Sequence, residues 1–247
     1  MIPKIIHYCW FGGNPIPALT KKCIRSWKKF CPDYEIKLWT EENFDLNTCP
    51  VYVTEAYKSK KWAFVSDYVR LKIVYDEGGI YLDTDVELIK SIDHLLDCTA
   101  FFGFETDGGC VATGLGFGSE KGAPVLRALM DDYEGIPFIK EDGSLDLTTC
   151  PVRNTRTLYR FGLVKDGGDQ TLEGGIRILP AEYLSPVVYS TGKKNITDKT
   201  VSIHHYQSSW VKKSLRTRTK ITRFFKGIFG ENCFVPLRKF LNLFKKR

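Results

Sequence analysis

An apolar helix followed by two glycines and a short strand is the feature that most limits how this chain can fold. Residues 62–77 are apolar on nearly every face, which predicts a helix in the protein interior. Gly78 and Gly79 follow and are typical of a helix C-terminus. The run Ile-Tyr-Leu-Asp-Thr-Asp at 80–85 then begins as an apolar strand and ends in two carboxylates. Ligands of an open α/β sheet bind beyond the carboxyl ends of its strands, which is where this pair would lie.

The two aspartates at the end of this strand predict a metal site. Because side chains alternate along a strand, Asp83 and Asp85 would point to one side, together with Tyr81. Two carboxylates on one side suit a hard divalent cation. A turn with two solvated aspartates is the alternative, and the Asp-X-Asp pattern alone leaves it open.

Charged residues inside the apolar helix need a physical reason. Asp67 and Arg70 are three positions apart, so they are neighbours on one helix face. They could form a buried ion pair with a structural role. Alternatively, Arg70 binds a phosphate and Asp67 accepts a hydrogen bond from a sugar hydroxyl in the same cleft as the aspartates. The spacing leaves both interpretations open.

The rest of the chain alternates between strand-like and helical segments, which favours an α/β fold with a largely parallel sheet. We expect helices at 18–30 and 123–133, and strands at 4–10, 34–39, 101–104, 113–118, 176–179 and 201–203.

Four motifs occur in an order that resembles glycosyltransferase family 32. They are Pro-Lys-Ile-Ile-His and a following Trp at 3–10, Ser-Asp-Tyr-Val-Arg at 66–70, the glycine and Asp-Thr-Asp run at 78–85, and His-His-Tyr-Gln-Ser-Ser-Trp at 204–210. That family contains bacterial capsule and lipopolysaccharide sugar transferases and the yeast initiating mannosyltransferase, and its core is similar to that of clostridial glucosylating toxins. The resemblance implies a GT-A (Rossmann-like) nucleotide-sugar-binding fold, a nucleotide-sugar donor, Mn²⁺ or Mg²⁺, and transfer with retention of configuration.

The resemblance also implies roles for single residues. Asp83 would contact the ribose and the metal, and Asp85 would be the main protein ligand to the metal. His204 and His205 would supply a further metal contact; alternation lets only one of them face the site, and we favour His204. Trp10 would lie at the nucleotide base, although a tryptophan after an apolar strand is typical of a core.

The full set of predicted site residues follows from these roles. The predicted catalytic residues are Asp67, Arg70, Asp83 and Asp85; the predicted donor-binding residues are His7, Trp10, Asp67, Arg70, Tyr81, Asp83, Ser208 and Trp210; and the predicted metal ligands are Asp83, Asp85, His204 and His205. On the acceptor side, the segment 149–154 resembles a Thr-Gly-Pro element of the family, but Cys150 replaces the glycine.

Length and cysteine usage predict one catalytic domain, at residues 1–210. A chain of 247 residues can bury one substantial core, and no stretch approaches the roughly 20 consecutive apolar residues that span a bilayer. The chain starts directly with a predicted strand, and its eight cysteines lack zinc-ligand spacing. We therefore expect reduced thiols and a cytoplasmic protein.

The C-terminal segment, residues 211–247, is strongly basic and amphipathic. It carries twelve Lys and Arg residues against a single acid, Glu231, whereas the whole chain has a formal net charge of +7. Aromatic and aliphatic residues recur among the charges at spacings of three and four. This pattern predicts helices that lie on an anionic membrane surface. Packing of the apolar stripe onto the domain is the alternative, and no nucleic-acid-binding module accompanies the charges.

Taken together, these features predict a bacterial transferase on the inner face of the cytoplasmic membrane. It would move galactose, glucose or an N-acetylhexosamine, with UDP as the expected carrier, to an undecaprenyl-diphosphate-linked saccharide during capsule or O-antigen assembly. A toxin-like or effector-like protein glycosyltransferase and a catalytically silent membrane adaptor are the alternatives. A phosphohydrolase is disfavoured because Val86 and Glu87, not a threonine, follow the aspartate pair.

Overall fold

A seven-stranded mixed sheet lies at the centre of the protein. The structure is a computed structural model that describes residues 1–106, 109–207, 213–230 and 233. The strands are β1 (Ile5–Cys9), β2 (Glu35–Trp39), β3 (Gly79–Tyr81), β4 (Val86–Leu88), β5 (Ala100–Gly103), β6 (Phe117–Ser119), β7 (Gln170–Leu172), β8 (Ile176–Leu179) and β9 (Ser202–His204). The helices are α1 (Ala18–Phe30), α2 (Val51–Lys58), α3 (Trp62–Glu77), α4 (Pro124–Asp131), α5 (Cys150–Leu158), α6 (Ala181–Leu184) and α7 (Lys213–Phe229).

The main sheet has the order β2-β1-β3-β6-β5-β8-β7, and β4 and β9 form a separate two-stranded sheet. Strand β1 runs parallel to β2 and β3, and β5 runs parallel to β8. Strand β6 lies between these parallel groups and is antiparallel to both of its neighbours. The expected α/β architecture is confirmed, and the carboxyl ends of β1, β2 and β3 meet at one edge.

Helix α3 forms as the apolar pattern predicts, and glycines end it. Gly78 has a φ of 74° and donates its N–H to the Val74 carbonyl, which caps the last turn. Gly79 has a φ of 104°, and a Cβ there would lie 2.7 Å from the Ile5 carbonyl oxygen of β1. A larger residue would therefore separate β3 from β1, so the glycine pair lets a buried helix turn directly into a central strand.

Two apolar clusters cover the sheet. Tyr81 belongs to the cluster that contains the buried face of α3, whereas Ile80 belongs to the cluster that contains Trp27 of α1. This alternation is the reason that β3 is apolar at successive positions: both of its faces are buried.

Three expectations differ from the structure. Residues 113–118 are not one strand, because Thr113–Leu115 forms a 3₁₀ turn and Gly116, with a φ of 110°, precedes β6. Strand β9 is centred one residue later than expected. Strand β3 ends at Tyr81, so both aspartates lie in the connection to β4.

Candidate metal and donor site

The pairing of β4 with β9 brings a histidine from a distant part of the chain to the aspartate pair. Val86 lies opposite His204 in this antiparallel ladder. His204 Nε2 is therefore 3.1 Å from Asp85 Oδ1, and ligand atoms of Asp83, Asp85 and His204 all lie within 4.8 Å of one another. Two carboxylates and an imidazole at this separation can hold one divalent cation, and the imidazole nitrogen suits Mn²⁺ better than Mg²⁺.

Asp85 is fixed by backbone groups as well as by the histidine. The Gln207 N–H donates to Asp85 Oδ2 at 2.7 Å, and the His205 N–H donates to the Asp85 carbonyl at 3.0 Å. Burial favours the neutral acid, but attraction to His204 and these donors outweigh it and lower the pKa of Asp85 to about 2. Asp85 is therefore a carboxylate at physiological pH, as a metal ligand requires.

His204 also fits the role of a ligand. Burial lowers its pKa, yet the Asp85 carboxylate outweighs burial, and the net shift is upward. Its Nδ1 is buried without a hydrogen-bond partner among the residues that the structure describes. A metal ligand must be a neutral imidazole, so His204 would bind a cation through Nε2, which lies at Asp85, and would keep its remaining proton on Nδ1.

Arg70 lies in the protein interior next to Asp83. It is 3% exposed, and its Nη2 is 2.8 Å from Asp67 Oδ1 and 3.3 Å from Asp83 Oδ1. Its Nε donates to the Ser66 carbonyl, and its guanidinium lies 5.0 Å from the centre of the Tyr81 ring. The structural ion pair considered from the sequence is what the geometry shows, and direct phosphate binding by Arg70 does not fit its burial. The physical effect of Arg70 is to hold Asp83 in place.

Asp67 and Tyr81 are likewise buried near Arg70. Burial raises the pKa of Asp67 to about 6, although Arg70 opposes this shift. Tyr81 is 1% exposed, so its expected contact with the donor is not supported. The Tyr81 ring packs against the Arg70 guanidinium instead.

His7 is a correction to the predicted donor pocket. It is fully buried, its Nε2 lies 2.8 Å from the Gly78 carbonyl oxygen, and its Nδ1 accepts from the Trp39 indole N–H at 3.1 Å. Both ring nitrogens are engaged in joining β1 to its neighbours, which leaves His7 no means of contacting a nucleotide.

The remaining predicted residues divide by location. Trp10 is partly exposed just after β1, where its Nε1 donates to the Asn14 carbonyl at 2.6 Å, so the prediction that it contacts a base stays open. His205 Nε2 lies 2.8 Å from Glu87 Oε2 and not with the ligand atoms of Asp83, Asp85 and His204, so its inclusion as a metal ligand is not supported. Ser208 and Trp210 lie outside the described residues.

Two features of the site were missed by the sequence patterns. A Cβ on Gly114 would lie 2.8 Å from Asp83 Oδ2, so the 3₁₀ turn at Thr113–Leu115 packs directly against that carboxylate. Cys150, at the start of α5, hydrogen-bonds Asp67, and burial raises the pKa of its thiol well above the usual value. Gly114 and Gly116 are a signal that could have indicated such a close approach, whereas the contact of Cys150 depends on the position of α5.

Comparison with known proteins agrees with the site. Residues 17–102 match the family model described as glycosyltransferase sugar-binding region containing DXD motif. The chain is 37% identical over 141 residues to inositol phosphoceramide mannosyltransferase 3 of Schizosaccharomyces pombe, a match that covers 56% of this chain and 38% of that protein. It is 33% identical over 107 residues to uncharacterized glycosyltransferase L373 of Acanthamoeba polyphaga mimivirus, covering 41% and 43%. The chain thus spans less than half the length of these relatives.

A solved structure supports the fold. The protein superimposes on PaToxG glycosyltransferase with a TM-score of 0.51 and 20% identity, covering 64% of this chain and 69% of that one. The expected GT-A fold is confirmed, and the resemblance to DXD glycosyltransferases of family 32 is confirmed with it.

Proposed function

We propose that this chain is a retaining, metal-dependent glycosyltransferase that moves a hexose from a nucleotide-sugar donor to a lipid-linked saccharide. One observation carries the proposal: Asp83, Asp85 and His204 converge at the edge where the parallel strands end, and Asp83 and Asp85 lie within the segment that matches the sugar-binding region.

The protein groups have distinct roles in this mechanism. A bound Mn²⁺ or Mg²⁺ would neutralise the negative charge that develops on the diphosphate leaving group. Asp85 and His204 would hold the ion, with Asp85 fixed by the Gln207 N–H. Asp83 would complete the ligand set, and the buried Arg70 would keep it oriented through their ion pair.

The donor and acceptor are proposed by chemistry and by the names of relatives. UDP-linked galactose, glucose and N-acetylhexosamines are the first donors to test. Nucleotide-linked mannose joins them because a relative is named as an inositol phosphoceramide mannosyltransferase. That name also denotes a lipid acceptor, which supports a lipid-linked substrate such as an undecaprenyl-diphosphate saccharide in capsule or O-antigen assembly.

The C-terminal helix supports attachment to a membrane surface. On α7, Phe224 is 64% exposed and Phe229 is 67% exposed, next to basic residues that include Arg223 and Lys226. Within the described residues, no helix is both long and apolar enough to cross a membrane. An exposed aromatic face flanked by cations suits binding to anionic lipid. We propose a peripheral position on the cytoplasmic face of a bacterial membrane, as the site of a lipid-linked acceptor.

A donor-hydrolysis screen tests the function. A panel of nucleotide sugars is incubated with the protein and Mn²⁺, and release of the nucleotide is followed before and after chelation. We expect one donor to be hydrolysed slowly in a metal-dependent way. Asp85→Asn should abolish this release, whereas Asp93→Asn, an exposed aspartate paired with Lys4, should not. Full hydrolysis by Asp85→Asn or in excess chelator would contradict the site.

A toxin-like protein glycosyltransferase is the second candidate. It is favoured by the likeness to PaToxG and by 26% identity over 111 residues to subversion of eukaryotic traffic protein A of Legionella pneumophila, which covers 34% of this chain and 17% of that protein. Transfer of labelled sugar to a protein fraction, and not to a lipid extract, would favour it. A catalytically silent adaptor would bind neither metal nor donor.

A further inference from the structure

Tyr206 adopts a backbone conformation that side chains rarely take. Its φ is 49°, in the left-handed region where a tyrosine is strained. This bend directs the next N–H, that of Gln207, back to Asp85 Oδ2. The strained residue therefore lies between two groups that touch the same carboxylate, namely His204 and Gln207.

The Tyr206 side chain also fixes the orientation of His204. The centres of the two rings are 4.2 Å apart, and the Tyr206 hydroxyl lies 2.6 Å from Ser185 Oγ in the core. A metal-binding histidine is usually oriented by a hydrogen bond from its second ring nitrogen. Within the described residues, His204 Nδ1 has no such partner, so the contact with the Tyr206 ring is what remains to orient the imidazole.

The same ring is in contact with α7 through one further residue. The Tyr189 ring packs edge-on against Tyr206 at 5.1 Å, and the Arg223 guanidinium lies 5.0 Å from the centre of the Tyr189 ring. A Cβ on Gly227 would lie 3.0 Å from the Thr191 carbonyl oxygen, so the helix backbone packs closely on this turn. Unbroken contact thus runs from α7 to the metal ligand.

We infer that Tyr206 and Tyr189 are positioning residues for His204, and that packing of α7 against them raises the affinity of the Asp83, Asp85 and His204 group for a divalent cation. The inference rests on the proposed function and deepens it. Phe224 and Phe229 stay exposed while Arg223 contacts the domain, so the helix can bind lipid and keep this contact. Membrane attachment and metal binding would then be coupled through one helix.

Titration of the full-length protein with Mn²⁺ by calorimetry tests the coupling. Arg223→Gln removes the cation from the Tyr189 ring, and we expect the Kd for Mn²⁺ to rise about two- to fivefold. Arg218→Gln is the matched control, since it removes the same charge from an exposed position of the same helix. Loss of a positive charge alone would tighten cation binding, so weakening confined to Arg223→Gln identifies the contact. Equal Kd values for the two variants would overturn the inference.

A second pair of variants separates the ring of Tyr206 from its backbone. Tyr206→Gly tolerates the left-handed φ but lacks the ring, and it should weaken Mn²⁺ binding about three- to tenfold. Tyr206→Phe keeps the ring and should bind Mn²⁺ more tightly than Tyr206→Gly. Wild-type affinity in Tyr206→Gly would overturn the inference while leaving the metal site intact. Absence of Mn²⁺ binding to the wild-type protein would instead overturn the metal site itself.

Discussion

At the scale of single residues, the buried His7 has a defined protonation state. An indole N–H can only donate, so His7 Nδ1 must accept from Trp39, and Nε2 must carry the proton donated to the Gly78 carbonyl. Burial lowers the pKa of His7, although the Gly78 carbonyl opposes this shift. The folded protein therefore contains a neutral imidazole at the junction of β1, β2 and α3.

This state predicts a loss of stability in mild acid. Below a pH of about 6.5 the unfolded chain binds a proton at His7 that the folded chain excludes, so the free energy of unfolding falls as the pH falls. We expect His7 to contribute a loss of up to about 2 kcal/mol between pH 7 and pH 5. Denaturant unfolding of wild type and His7→Gln at both pH values measures it. The glutamine retains a donor and an acceptor but does not titrate, so an equal pH dependence would refute the prediction.

The two adjacent histidines provide a matched test of the metal ligand. His204→Ala should weaken Mn²⁺ binding by at least about tenfold, because it removes a ligand atom near both aspartates. His205→Ala should bind Mn²⁺ as the wild type does, since the His205 ring contacts Glu87 outside the cluster. Calorimetric titration of both variants measures this difference, and a reversed order of effects would show that β9 presents the other histidine.

At the scale of elements, the 3₁₀ turn at Thr113–Leu115 sets the position of Asp83. A Cβ on Gly114 would lie 2.8 Å from Asp83 Oδ2 and 3.2 Å from Arg70 Nη1, and these two residues form an ion pair in which Arg70 is buried and Asp83 is partly exposed. Gly114→Ala should therefore displace the carboxylate, lower the free energy of unfolding by about 1–3 kcal/mol and weaken Mn²⁺ binding.

Gly168→Ala is the control for this substitution. The atoms nearest to its Cβ would belong to the exposed side chain of Asp166, at 3.2 Å, in a loop that can adjust. Chemical denaturation and Mn²⁺ titration of the two variants should show losses in Gly114→Ala alone. An unchanged Gly114→Ala would mean that the turn moves freely and does not position Asp83.

Sequence reasoning recovered the elements whose signals are local. The apolar surface of α3, the glycines that end it and the two aspartates after β3 follow from patterns of a few residues, and the structure has them at those positions. The turn at Thr113–Leu115 was missed because a short run of glycine and apolar residues favours a strand. The positive φ of Gly116, which separates the turn from β6, is seen only in the structure. The burial of His7 was missed because it depends on which elements cover it, whereas the buried ion pair of Arg70 with Asp67 was one of the two interpretations that the sequence left open.

At the scale of the whole molecule, the site depends on contact between distant parts of the chain. Asp85 and His204 are separated by 119 positions, and the pairing of β4 with β9 brings them together. A family resemblance could assign His204 to the site. The alternation of side chains along a strand, however, does not predict that β9 pairs with β4. Helix α7 follows β9 in the chain, so the proposed membrane contact and the site would depend on neighbouring segments.

The exposed face of α7 predicts that the protein binds anionic lipid, as proposed above. Phe224→Ser combined with Phe229→Ser should weaken binding to vesicles that contain anionic lipid by at least about tenfold. Each substitution removes an aromatic ring that would otherwise be buried among the lipids. Val152→Ser combined with Val164→Ser is the control, since both valines are exposed on the domain. Co-sedimentation at low and high salt separates the contribution of the aromatic residues from that of the basic residues. Added salt should weaken binding of the wild type by screening the basic residues, whereas the serine variant should bind weakly at both salt concentrations. Equal binding by the two double variants would show that the lipid contact lies elsewhere on the protein.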